Sequence, residues 1–242
     1  MAVDKKKIAA DCWKHGNDAL VKENWEYAIE MYTQSVKLVP DNLTYRQTLR
    51  GAECKKYKNN KTGARRTALK LMGPKGRIKK GRLKKDWEAI DLAAEEGLAV
   101  NPWDPQLNFD MAQACQERGF DEAAVFGFQR AVEGEPDDKR YNRALALLLE
   151  LRGNYTDASK CWQRILQVDP LDTEARTKVT HLEARSVMEA GGYEAADSTR
   201  DVQAGQSAYD ADRPVKQPRG PETDGPGVSE EADLQRGQKG TG

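Results

Sequence analysis

Apolar and small residues return at steps of three and four along the first 190 residues, and these steps recur in blocks that each end on a proline. Twelve residues before Pro40, Pro102, Pro136 and Pro170 stand Ala28, Ile90, Ala124 and Ala158. Eight before stand Tyr32, Ala94, Phe128 and Trp162, and five before stand Ser35, Gly97, Ala131 and Ile165. Such steps keep residues on one side of a helix. Small side chains let a second helix approach, and a large one beside them fills the space. The upstream half of each block is helical as well. From Asp138 to Gly153, Leu145, Leu148, Leu149 and Leu151 form a stripe, and Gly153-Asn154 breaks the helix. Each block therefore predicts a helix, a short turn, a second helix, and a proline that cannot extend it.

Pro102, Pro136 and Pro170 are 34 residues apart. Trp87 and Tyr155 precede two of them by fifteen residues, as Trp25 precedes Pro40, while Phe120 is shifted by one. A fixed period in this range marks a stacked repeat array. The pattern resembles the tetratricopeptide repeat (TPR) family. The best copies are Ala9–Asn42, with Gly16, Asn17, Trp25, Ala28, Tyr32 and Pro40, and Lys139–Asp172. Pro105–Asp138 has the displaced aromatic, and Leu71–Asp104 matches well in its second helix. The resemblance implies an all-α solenoid of helical hairpins, about four units long, and the residues after Pro170 add a C-terminal capping helix, started by Asp172 and ended by Gly191-Gly192, and a disordered tail. Trp87 and Trp162 are expected as interior anchors.

The first two closing prolines are 62 residues apart, six short of two periods. Between them Leu43 to Tyr57 predicts one helix, with Tyr45, Leu49, Ala52 and Cys54 as apolar positions. It fits either a displaced first helix of the second repeat or an unpaired helix covering the first. The expected organisation is a first unit at 1–42, a helix plus basic insertion at 43–85, and the rest of the array at 86–172. A capping helix follows at 173–192, then a tail at 193–242. Residues 191–242 hold nine glycines and four prolines, too little apolar surface to offset chain ordering.

Net charge is zero, but its distribution is uneven. Residues 55–85 carry 14 Lys or Arg and no acid, whereas 86–172 carry 18 Asp or Glu against 8 Lys or Arg. Lys79, Lys80, Arg82, Lys84 and Lys85 are the candidate anion-binding residues. Three readings fit this stretch: a solvated loop, a segment folded against the acidic repeats, or a contact for nucleic acid, anionic lipid or an acidic protein. Gly73-Pro74-Lys75-Gly76-Arg77 lacks the Lys-Ser/Thr pair and preceding strand of a phosphate loop, and is expected to break a helix.

Chemistry-bearing motifs are absent. Cys12, Cys54, Cys115 and Cys161 form no Cys-x-x-Cys and are expected to be reduced helix fillers. His15 is expected in a packing position, and neither it nor His181 has metal-ligand spacing. Glu95-Glu96 and Asp137-Asp138 are placed on solvent faces or turns. No enzyme activity, cofactor or metal is expected. The N-terminal residues lack a signal-peptide core and no apolar run approaches the roughly 18–20 residues of a span, so a cytoplasmic location is expected.

The resemblance further implies a concave groove lined by the first helices, at Trp13, Asn17, Phe109, Gln113, Gln116, Arg140 and Arg143. Trp13 and Phe109 would anchor an extended or helical peptide, with Arg140 and Arg143 on a carboxylate. The lysine of the family's chaperone-tail clamp is Trp13 here, so that clamp is not expected. The expected role is a non-catalytic adaptor binding peptide segments of other proteins. The alternative is a nucleic-acid-associated protein acting through 55–85. Oligomeric state is left open.

Overall fold

A computed structural model describes residues 4–190 of the chain. Among them are ten helices: α1 (Lys5–Val21), α2 (Trp25–Leu38), α3 (Leu43–Lys56), α4 (Thr67–Lys84), α5 (Trp87–Leu98), α6 (Pro105–Glu117), α7 (Asp121–Gly134), α8 (Lys139–Leu151), α9 (Tyr155–Val168) and α10 (Thr173–Ala190). The starts are written in the sequence. Asp4, Asn24, Asn42, Asp86, Asp104, Asp138 and Asn154 each turn a side-chain oxygen onto backbone N–H groups of the first turn. Helices α1 and α2, α4 and α5, α6 and α7, and α8 and α9 pair as hairpins, and α10 packs on α9. The tail at 193–242 and the last two residues of the expected capping helix lie outside the described residues.

All twelve residues aligned on the four prolines are buried, from Ala28, Tyr32 and Ser35 to Ala158, Trp162 and Ile165. A shared turn lock joins them. The side chain six residues after each proline donates to that proline's carbonyl: Arg46 to Pro40 at 2.8 Å, Asn108 to Pro102 at 3.2 Å, Asn142 to Pro136 at 2.7 Å and Arg176 to Pro170 at 2.8 Å. The turn inside each hairpin also repeats. Gly119 and Gly153 take φ +76°, and Glu23 and Lys85, at the equivalent places, are held left-handed at 57° and 53°. Glycine meets that conformation without strain, whereas a Cβ costs about 1–2 kcal/mol there.

Between the first two prolines the structure resolves the open alternatives. Helix α3 packs on α2 and, among the described residues, forms no hairpin of its own, while α4 forms a hairpin with α5. The stretch expected as a basic insertion therefore supplies a first helix, and it runs through Gly73-Pro74 rather than breaking there. Its buried residues Leu71, Pro74, Ile78 and Gly81 face α5 and α6, with the Gly81 site against Ile90 and Leu71 near Gly97. An interior proline costs about 3 kcal/mol. Burying Leu71 and Ile78 returns about 1.5–3 kcal/mol each, so packing carries the helix past Pro74.

Other single positions depart from expectation. Trp162 is fully buried, but Trp87 is only half-buried at the first turn of α5, where the helix end leaves one side uncovered. Leu151 is 81% exposed because α8 ends there, and His15 is exposed rather than packed. The apolar core falls into two clusters. One is built from α1–α3 around Tyr32, Val36 and Leu49, and the other from α4–α10 around Leu107, Phe128, Leu148 and Trp162.

Candidate functional site

Two arrangements carry polar chemistry. The first lies where the two apolar clusters meet. Helix α3 presents Arg46, Arg50 and Glu53 on one face together with Leu49, and α5 presents Asp91 and Glu95 one turn apart; all five charged groups are buried. Arg46 donates to both Asp91 oxygens, at 2.9 and 2.8 Å, and to Glu95 at 2.8 Å. Arg50 bonds Glu53 and reaches Glu95 at 2.8 Å, and Arg118 meets Asp91 at 2.6 Å. Three guanidiniums thus oppose three carboxylates. Glu95 was expected on a solvent face, but α3 covers it and matches its charge.

The charges are unequally supported. Burial works against ionisation of Arg46, yet Asp91 and Glu95 hold it above its ordinary range. Glu95 is likewise penalised by burial, but Arg50 and Arg46 bring it below the usual carboxylate range. Glu53 is different. Burial dominates, Arg50 offsets it only in part, Glu95 adds to it, and the carboxyl is pushed up to about 7. Its Oε1 has no hydrogen-bond partner among the described residues. Burial works against the charge of Arg50 as well, but Glu53 and Glu95 hold it above its ordinary range, so Glu53 is the group that becomes neutral. Cys115 lies 4.0 Å from Asp91, and burial pushes its thiol up to about 12, which removes it as a nucleophile at neutral pH.

A cavity of about 540 Å³ borders this cluster, walled by Val36, Leu49, Leu92 and Ala93 with Glu88 and Arg118 among its polar lining. Among the described residues no group of three His, Cys, Asp or Glu is arranged to hold a metal ion, and no helix is long and apolar enough to cross a membrane.

The second arrangement is a band across the first helices. Phe109 is half-buried, its ring 5.4 Å from that of Phe128 and 5.0 Å from that of Tyr141. The Tyr141 hydroxyl donates to Gln106 at 3.3 Å, and Gln106 donates to Asp110 at 2.8 Å. Arg82 pairs with the same Asp110 and lies 3.5 Å from Gln113. Arg140 sits over the Tyr141 ring at 5.2 Å. The band therefore joins α4, α6 and α8 and includes Phe109, Gln113 and Arg140. Gln116 is half-buried one turn further along α6.

Trp13 and Asn17 stand apart from this band. Trp13 donates its indole N–H to Thr48 at 3.1 Å and packs near Tyr45, so it faces α3; Asn17 accepts from the Tyr32 hydroxyl at 2.7 Å. The two arginines expected to meet a ligand carboxylate already hold acids. Arg140 pairs with Asp138 at 2.7 Å, and Arg143 pairs with Asp172 at 3.2 Å and Glu174 at 3.0 Å. Of the basic set, Arg82 pairs with Asp110, while Lys79, Lys80, Lys84 and Lys85 are exposed. Lys75 with Asp104 at 3.2 Å and Arg77 with Glu96 extend the pairing of α4 with the acidic repeats.

The ionic cluster escaped sequence reasoning. Its signal was present as Arg46 and Arg50 one turn apart on the apolar face of α3, matched by Asp91 and Glu95 at the same step on α5.

The hairpin pairing, the 34-residue register and the shared turn lock give this chain a TPR-like fold. No family model matches the chain, and no curated protein matches it. Solved structures similar to it include TPR proteins. The second TPR domain of human RPAP3, in complex with an HSP70 peptide, is 14% identical with a TM-score of 0.44, over 48% of this chain and 98% of that one. The TPR2AB domain of yeast Sti1, in complex with pHSP90, is 18% identical with a TM-score of 0.43, over 76% and 72%. YrrB, a TPR protein with an unusual peptide-binding site, is 14% identical with a TM-score of 0.40, over 86% and 96%.

Proposed function

We propose that this protein is a non-catalytic adaptor that receives a peptide segment of another protein across α4, α6 and α8. The observation that carries this reading is the half-buried Phe109, set between Phe128 and Tyr141 and flanked by the side-chain amides of Gln106 and Gln113. An aromatic edge beside amides suits an extended segment: the ring takes one side chain and the amides bond its main chain. Gln116 continues the row. Arg140 serves a ligand carboxylate by exchange from Asp138, which costs little because Arg140 is exposed. Arg143 is the weaker candidate, since Asp172 and Glu174 both hold it. Trp13 and Asn17 form a separate element that braces α1 on α3 and α2.

The organisation proposed with this keeps a first unit at residues 1–42 and assigns α4 and α5 to one second unit. A cytoplasmic location is proposed with it, supported by four unpaired cysteines of which Cys115 and Cys161 are packed inside helices. Selection from a random peptide display library tests the groove. The wild-type chain should enrich a peptide class that Phe109→Ala/Gln113→Ala binds at least about tenfold more weakly. Peptides that bind both proteins alike would reject the site.

A further inference from the structure

The break in the array before α4 leaves that helix with a face that no other element covers among the described residues. In an unbroken stack the second helix of the preceding hairpin would lie beside it, but α2 packs against α3 instead. The uncovered face is not the polar cover expected at the end of a repeat array. Leu69, Met72 and Leu83 stand on it, 65%, 69% and 88% exposed. Their spacing places them on one side of α4, opposite the buried Leu71, Pro74 and Ile78.

Charge surrounds this stripe with a single sign. Lys75, Arg77 and Arg82 turn toward α5 and α6 and are matched by Asp104, Glu96 and Asp110. Lys79 on one flank, and Lys80 and Lys84 on the other, are exposed, and no ion pair reaches them among the described residues. The stretch 55–85 holds no acidic residue to offset them. Gly73 and Gly76 lie in the same outer surface. A Cβ at Gly76 would meet nothing within 4 Å, and one at Gly73 would meet only the tip of Arg77 at 3.8 Å. No packing among the described residues calls for glycine there, and its absence of a side chain keeps the surface low between the apolar residues.

We propose that the outer face of α4 docks on anionic lipid bilayers. Leu69, Met72 and Leu83 enter the boundary between headgroups and acyl chains. Lys79, Lys80 and Lys84 extend sideways to lipid phosphates and carboxylates. A nucleic acid fits this face less well. Its phosphates would match the lysines but leave three large apolar side chains against a polyanion, and residues 67–84 contain no aromatic to stack on a base.

Flotation of the full chain with vesicles tests this. The protein should float with vesicles containing phosphatidylserine at roughly a third of the lipid, should stay behind with phosphatidylcholine alone, and should release as salt rises. Lys79→Gln/Lys80→Gln/Lys84→Gln should lower the partition coefficient about a hundredfold, at roughly fivefold per lysine. Leu69→Ser/Met72→Ser/Leu83→Ser should lower it at least about tenfold, with the helical signal and melting transition nearly unchanged because these side chains are largely exposed. Leu83→Asp alone should act in the same direction and guards against a triple variant that misfolds. Failure to float at low salt, equal flotation with neutral vesicles, or indifference to the leucine changes would overturn the proposal. So would tighter capture of an oligonucleotide that depends on the lysines and not on Leu83.

Discussion

Replacing Glu53 by glutamine should make the stability of this protein less dependent on pH. In the folded chain the Glu53 carboxyl is pushed up to about 7 from the ordinary 4.5, chiefly by burial. Between these two values the folded state binds a proton that the unfolded state has lost. Stability therefore falls as pH rises through this window and levels off above about pH 7. At about 1.4 kcal/mol per pH unit the loss accumulates to about 3 kcal/mol. Glutamine stays neutral throughout and still accepts from Arg50, as the protonated acid does, while Glu95 keeps Arg50 paired at 2.8 Å. Glu95 itself acts in the opposite sense, because its depressed carboxyl loses stabilisation only as pH falls below the ordinary range. That contribution is common to both proteins and cancels. Urea unfolding followed by circular dichroism at about pH 5, 6, 7 and 8 reads the difference. The variant should match the wild type at the acid end and exceed it by about 3 kcal/mol at the alkaline end. Parallel stability curves, or a variant weaker than the wild type at about pH 8, would refute the assignment of Glu53 as the neutral member of the cluster.

Arg46→Ala removes one of the two guanidiniums that hold each of the buried Asp91 and Glu95, leaving Arg118 on the first and Arg50 on the second, and should cost about 3 kcal/mol in the same assay, with Arg46→Lys intermediate. Glu23→Gly and Lys85→Gly relieve the left-handed turns that Gly119 and Gly153 already make without strain, and each should raise stability by about 1 kcal/mol in thermal unfolding. Trp162→Ala removes a fully buried ring whose indole N–H bonds Glu150 at 2.6 Å; unfolding should show a loss of about 3–5 kcal/mol, and Trp162→Phe should recover most of the packing part.

What the sequence determined by itself is local and periodic. The rows of Ala28, Ile90, Ala124 and Ala158, and of Tyr32, Ala94, Phe128 and Trp162, follow from 3.6 residues per turn, and helix–turn–helix pairing follows from the caps and prolines between them. The placing of Phe109 and Gln113 on a first-helix face came from the resemblance to the TPR repeat and not from periodicity alone. Three matters were decided only by contacts between distant segments. Helix α4 continues through Pro74 because burial against α5 outweighs the local cost of proline. Glu95 is inside because Arg46, 49 residues away, reaches it. Arg143 is engaged because the fold delivers Asp172 and Glu174 to it. Periodicity states which face of a helix is apolar; which helix covers that face, and which charges are enclosed with it, depends on where the chain returns in space.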